Sequence, residues 1–172
     1  MTNMPGYVIH IAIANEYIKK HKKIEVYEEF IKGNIDPDLT NDKSKTHYAK
    51  SPAYTNLKNF LDNNQIDNSF NRGQFLHLIT DYLFYNYYLD YYNKQDMYHD
   101  YDVLNKPLSE KYDVSLPDNI KDKVFYINDK TKILSYELAI KIIDEVSSMD
   151  IDEIAKEVLN NNKRWNKYKE LV

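Results

Sequence analysis

The sequence predicts an all-α fold in a single domain, and three observations lead there. Apolar residues recur at helical spacing in several stretches, capping residues precede those stretches, and alternating apolar patterns are too few to build a sheet. Length sets the domain count: 172 residues can bury one sizeable core, and no repeat, low-complexity tract or linker divides them.

A first helix is expected over residues 8–22, where Ile9, Ala12, Ile13, Tyr17 and Ile18 form a stripe and Lys19 to Lys23 a solvated end. His10 adjoins the stripe and can turn inward, whereas His21 lies among lysines and reads as solvated. A second helix, residues 25–32, is expected to end at Gly33 in a left-handed C′ position. Pro37 then disfavours helical geometry at Asp36, so residues 34–39 read as a fixed loop presenting Asp36 and Asp38. Residues 41–45 read as polar loop, followed by His47-Tyr48 and a helix over residues 56–63.

The central helix is expected from Ser69 to Tyr92, capped by Asp67 or Asn68, with Gly73 permitting close approach of another backbone. Residues 97–105 supply the last histidine, His99, next to Asp100. A loop around Leu116-Pro117-Asp118 and an unassigned segment, residues 124–127, lead to two closing helices. One covers residues 136–148 with Ser135 as cap. The other starts at Asp150, with Glu153 in a capping-box position, and continues to about Tyr168.

Within the apolar central helix, His77 and Asp81 stand four apart. That spacing places them on one face with Cβ atoms about 5–6 Å apart, so that both can approach one ion. A carboxylate in such surroundings needs a compensating partner. Alone, the pair more often marks a hydrogen-bonded core histidine, and a lone His10 is more often structural than a ligand. Taken with His47, His99, Asp38 and Asp100, however, the set suits a metal centre. The chain has no cysteine, which excludes disulfides, Cys-based zinc sites and a thiol nucleophile. Nitrogen and carboxylate ligands match Zn2+ in a catalytic site, and Fe, Mn or Ni would accept the same atoms.

A formal net charge of −4 gives no electrostatic footprint for stable nucleic-acid binding or for an anionic membrane surface. It does not oppose cleavage of phosphodiesters. No 18-residue apolar run and no basic-then-apolar N-terminus are present, so a cytoplasmic location and no transmembrane segment are expected. Among the 17 tyrosines, the cluster from Tyr82 to Tyr92 could stack bases or sugars, but half-buried helix packing accounts for it more simply.

The ordered set Met4-Pro5-Gly6-Tyr7-Val8-Ile9-His10, Phe30-x-x-Gly33-Asn34-Ile35-x-Pro37-Asp38, His47-Tyr48 and Gly73-x3-His77-x3-Asp81 resembles the zinc-dependent phospholipase C family. This is the phospholipase C/D domain, related to fungal single-strand nucleases, and the likeness covers residues 4–105. The resemblance implies a helical bundle of that type, with metal held between helices and a metal-activated water that hydrolyses phosphoric esters, from a small molecule to a lipid head group. By position, His10 looks like the ligand of one zinc, Asp38, His47 and His77 like ligands of another, and Asp81 like the carboxylate shared by both. Asp38 is in addition the implied catalytic acceptor of the water's proton.

The chain departs from the family in two places. It shows no processing that would free an N-terminal amine as a ligand, and after Asp81 it offers only His99, Asp100 and Asp102 where the family uses two histidines and a glutamate. Two metal ions, or one, are therefore expected rather than three, with His99 or Asp100 completing the site. Two alternatives compete: an HD-type phosphohydrolase built on His99-Asp100 with His47 and Asp144, and a non-catalytic helical protein that binds metal for stability.

Overall fold

A computed structural model describes residues 6–170. Met4 and Pro5, which open the family-like stretch, lie outside the described residues. No strand occurs among those described, so the all-α expectation holds. The helices are α1 (Tyr7–Lys20), α2 (Tyr27–Ile35), α3 (Lys43–His47), α4 (Leu57–Asn63), α5 (Ser69–Leu83), α6 (Lys94–Tyr112), α7 (Tyr136–Ser147) and α8 (Ile151–Leu159).

Helix α5 is the axis of the bundle. Its buried residues run unbroken from Phe75 to Leu83, because the sequence is apolar around the whole circumference rather than along a stripe. Asn68 caps it, accepting from the Asn71 N–H. The partner that packs most extensively on α5 is α2, and two glycines set the approach. A Cβ on Gly33 would stand 1.9 Å from the Phe70 carbonyl oxygen, and one on Gly73 would stand 2.1 Å from that of Phe30. Each helix thus offers a bare backbone to the other. Helix α1 lies across α2, α6 and α7, and its lysine end is tied down by Lys20 Nζ, which donates to the Asp144 carbonyl and to Ser147 Oγ.

Several expectations need correction. Gly33 is inside α2, and no described glycine has positive φ, because Gly33 serves close packing rather than a left-handed cap. Asp36 is helical (φ −53°, ψ −44°) despite Pro37, since the chain passes from α2 straight into a 3-10 turn, Asp36–Asp38. Part of the polar loop at 41–45 is α3, capped by Asp42. The central helix stops at Leu83 and widens into a π-helical turn, Phe84–Tyr88. The last helix ends at Leu159 rather than near Tyr168, as Asn161 takes a left-handed φ of 57°.

His21 is not solvated. It stacks on Tyr17 at 4.1 Å, and its Nε2 meets the Ser147 carbonyl at 2.9 Å. Residues 97–105 belong to the 19-residue α6, which continues through Pro107. The caps at Ser135 and Asp150 form as expected, accepting from Leu138 N and from Asp152 N and Glu153 N.

Candidate metal centre

Four segments converge at the C-terminal half of α5. One turn of α5 carries His77 and Asp81, the Asp36–Asp38 turn brings Asp38, α3 ends on His47, and α1 presents His10. The contact at Gly73, four residues before His77, seats α5 against Phe30 and Asn34 of α2. It also sets the His77 ring, whose Nδ1–H donates to the Asn34 carbonyl at 2.6 Å and leaves Nε2 pointing the other way. Asn34 fixes α1 as well, donating from Nδ2 to the His10 carbonyl at 2.8 Å.

His47 is oriented by the same logic. Its Nδ1 lies 3.2 Å from the Lys43 carbonyl and 3.0 Å from Thr46 Oγ1, while that hydroxyl donates to the Pro37 carbonyl. With Nδ1 engaged, Nε2 keeps its lone pair for a cation, the usual arrangement behind a metal-bound imidazole. The two Nε2 atoms face Asp81 Oδ2 at 2.8 Å (His47) and 3.2 Å (His77), and Asp38 Oδ1 at 3.8 Å and 3.5 Å. Donor atoms of Asp38, His47, His77 and Asp81 all lie within 4.8 Å of one another. Ligands about 2.0–2.1 Å from a tetrahedral zinc are about 3.3 Å apart, in the middle of these distances.

Asp81 has two faces. While Oδ2 meets His47 and His77, Oδ1 lies 3.1 Å from His10 Nε2, and the His10 and His77 rings stack at 3.8 Å. The group fits a metal by a further test. His77 Nε2, Asp38 Oδ1 and His10 Nδ1 are buried without a hydrogen-bond partner, a costly state for polar atoms that a bound cation would relieve at the first two.

Electrostatics point the same way. Burial opposes charge on His77, but the carboxylates of Asp38 and Asp81 outweigh it and raise the imidazole to about 10. Burial likewise opposes ionised Asp38 and Asp81, yet His77 holds both carboxyls below the usual range, aided by Lys43 at Asp38 and by His10 at Asp81. His10 itself is pushed down, by burial and then by the charge of His77. The two buried carboxylates thus draw on positive charge, from the His77 imidazole at both and from Lys43 at Asp38. Lys43 Nζ stands 3.1 Å from Asp38 Oδ1.

A cavity of about 420 Å³ opens onto His10, Asp38 and Asp81, with His47 and His77 behind them. Its wall also includes Lys43, Lys50, Lys94, Tyr85, Tyr92 and Tyr101. The π-helical turn that follows Leu83 sets Tyr85 into that wall, so the cluster from Tyr82 to Tyr92 divides. Tyr82 and Tyr85 pack inward, while Tyr87 and Tyr91 are exposed.

His99 and Asp100 are not brought to this group. His99 Nδ1 contacts Asp100 Oδ1 at 3.0 Å, and its Nε2 contacts Asp129 Oδ2 at 2.9 Å. Asp100 accepts the backbone N–H groups of Lys132, Ile133 and Leu134 at 2.6–2.8 Å, which anchors the segment leading to α7. Asp144 is used elsewhere, accepting from Tyr112 Oη, so the residues of the HD-type alternative do not meet. Sequence reasoning gave no role to Asn34, Thr46 or the three lysines. Only Asn34 carried a signal, as part of the stretch from Phe30 to Asp38. No helix among the described residues is long and apolar enough to cross a membrane. No protein family, curated protein or solved structure matches the chain, so its own geometry defines the centre: a buried Asp38-His47-His77-Asp81 group able to hold a metal ion.

Proposed function

We propose that the protein is a metal-dependent phosphoric ester hydrolase, resembling phospholipase C, with zinc as the metal. The observation that carries this reading is the pair of imidazoles turned by backbone carbonyls so that both Nε2 atoms face Asp38 and Asp81 at the edge of a lysine-bearing cavity. Asp38, His47, His77 and Asp81 Oδ2 would hold one ion, and His10 with Asp81 Oδ1 would contribute to a second. When bound, zinc supplies Lewis acidity to a phosphoryl oxygen and lowers the pKa of the attacking water.

The chain's own residues do the rest. Asp38 takes the proton from the attacking water, and Lys43 Nζ, 3.1 Å from Asp38 Oδ1, holds that carboxylate in place. Asn34 and the Lys43 carbonyl keep His77 and His47 in the tautomer with a free Nε2. Lys43, beside Asp38 on the cavity wall, holds the anionic ester.

The test is elemental analysis of wild type and His10→Ala, with turnover of bis(4-nitrophenyl) phosphate. Two metals per chain falling to one in the variant, together with turnover by wild type, is the expected result. No metal in wild type, or no turnover with any divalent ion, sinks the hydrolase.

One observation favours a second reading. Asp38, His47, His77 and Asp81 already provide four protein donors, which would close a tetrahedral centre as in structural zinc sites. In that case metal removal lowers the melting temperature, and no ester is turned over.

A further inference from the structure

We infer that the substrate of this centre carries a second anionic group, held by Lys50 and Lys94; this rests on the hydrolase reading and names its substrate class. Of the acidic groups on the cavity wall, Asp38 and Asp81 face the imidazoles, and Asp38 also faces Lys43. Asp42 accepts from Ser44 N and Oγ and lies 4.0 Å from Lys45. The wall's remaining lysines are different. Lys50 Nζ sits 4.4 Å over the Tyr54 ring and Lys94 Nζ 5.6 Å over the Tyr98 ring, and among the described residues neither has a carboxylate within 4.0 Å.

An aromatic face attracts an ammonium group but does not neutralise it. The wall's three carboxylates, Asp38, Asp42 and Asp81, are each engaged by other groups, which leaves Lys50 and Lys94 to face the cavity without one. Lys94 is also the first residue of α6, whose helix dipole adds charge of the same sign there. A zwitterionic choline ester would set its quaternary ammonium against this wall. An ester with a second phosphate places opposite charge there, while its scissile phosphate faces Asp38 and Asp81.

The experiment compares two esters that differ only in the second phosphate: thymidine 5′-(4-nitrophenyl phosphate) and its 3′-phosphorylated form. Each is assayed with metal-loaded wild type, with the double variant Lys50→Ala/Lys94→Ala, and with Lys121→Ala, whose lysine pairs with Asp118 outside the cavity. Wild type should prefer the 3′-phosphorylated ester by about tenfold in kcat/KM at low salt, with the preference shrinking as salt screens it. The preference should collapse in the double variant and persist in Lys121→Ala. Calorimetry with thymidine 3′,5′-bisphosphate should show binding weakened by about tenfold in the double variant.

Turnover without preference, or a preference that survives in the double variant, overturns the inference and leaves the hydrolase standing. No turnover of either ester strikes the hydrolase instead. The calorimetry then decides the inference, which fails if the bisphosphate binds wild type and double variant alike.

Discussion

The protein contains two histidine–aspartate clusters built to opposite ends. In the outer one, His99 has both ring nitrogens against carboxylates and Asp100 receives three backbone N–H groups, so the cluster satisfies itself. In the inner one, His77 Nε2 and Asp38 Oδ1 are buried, close to opposite charge, and still without a hydrogen bond. The difference shows what separates a structural pair from a ligand set. Polar atoms whose bonds are complete hold a loop, and polar atoms aimed at a common point with bonds left over could hold an ion.

The sharpest way to break this contrast is to remove the shared carboxylate. Asp81→Ala leaves His10, His47 and His77 without the group they all face, and metal affinity should fall by well over 100-fold, more than the 10–100-fold typical of an outer-shell change. Elemental analysis after dialysis measures it, and metal content equal to wild type would end the assignment. Gly73→Ala should come next, through the fold. Its methyl meets the Phe30 carbonyl, so α2 and α5 must separate, and Asn34 with them. Soluble yield, helical circular dichroism and metal content should all drop, whereas an unaffected variant would mean that the α2–α5 approach does not set the site.

In the outer cluster the effect should fall on stability alone. Asp100→Ala strands three N–H groups and should cost about 3 kcal/mol or more, which is about 6–12 °C in Tm for a chain of this size, with metal content unchanged. Burial opposes the Asp100 charge, but the N–H groups of Leu134, Ile133 and Lys132, with His99, hold its carboxyl below the usual carboxylate range. A carboxyl depressed in the folded state stabilises above its unfolded value, near 3.9, and loses that contribution as pH falls through the folded value. The Tm gap between wild type and Asp100→Asn should therefore be level from pH 7 to pH 5 and narrow below about pH 4. A gap that widens there would reverse the sign. The smallest effect is expected from Thr46→Val, which removes the hydroxyl beside His47 Nδ1 and should weaken metal binding by about tenfold. No change would leave the Lys43 carbonyl as the sole anchor of that ring.

Much of the site could be read from the chain because local rules applied. The four-residue spacing of His77 and Asp81 puts them on one helical face whatever surrounds them. His10 adjoins the apolar stripe and could turn inward, and it is buried. His99 misled because an adjacent His-Asp pair looks the same whether its bonds are complete or open. That depends on Asp129 and residues 132–134, some thirty positions away. Gly33 misled for a related reason: at a helix end glycine serves a left-handed turn or a close contact, and only the position of Phe70 distinguishes them.

By itself the sequence determined that the fold is helical, where most caps fall, that any metal must be held without thiolate, and that His77 and Asp81 share one helix face. Periodicity, capping and composition are local properties, and they survive without knowledge of the rest of the chain. Tertiary structure alone decided which imidazoles meet which carboxylates, that Asp81 faces His10 with one oxygen and His47 and His77 with the other, and that lysines line the opening. Those outcomes depend on the approach of α2 to α5 and on turns after Ile35 and Leu83, distances that no sequence spacing encodes.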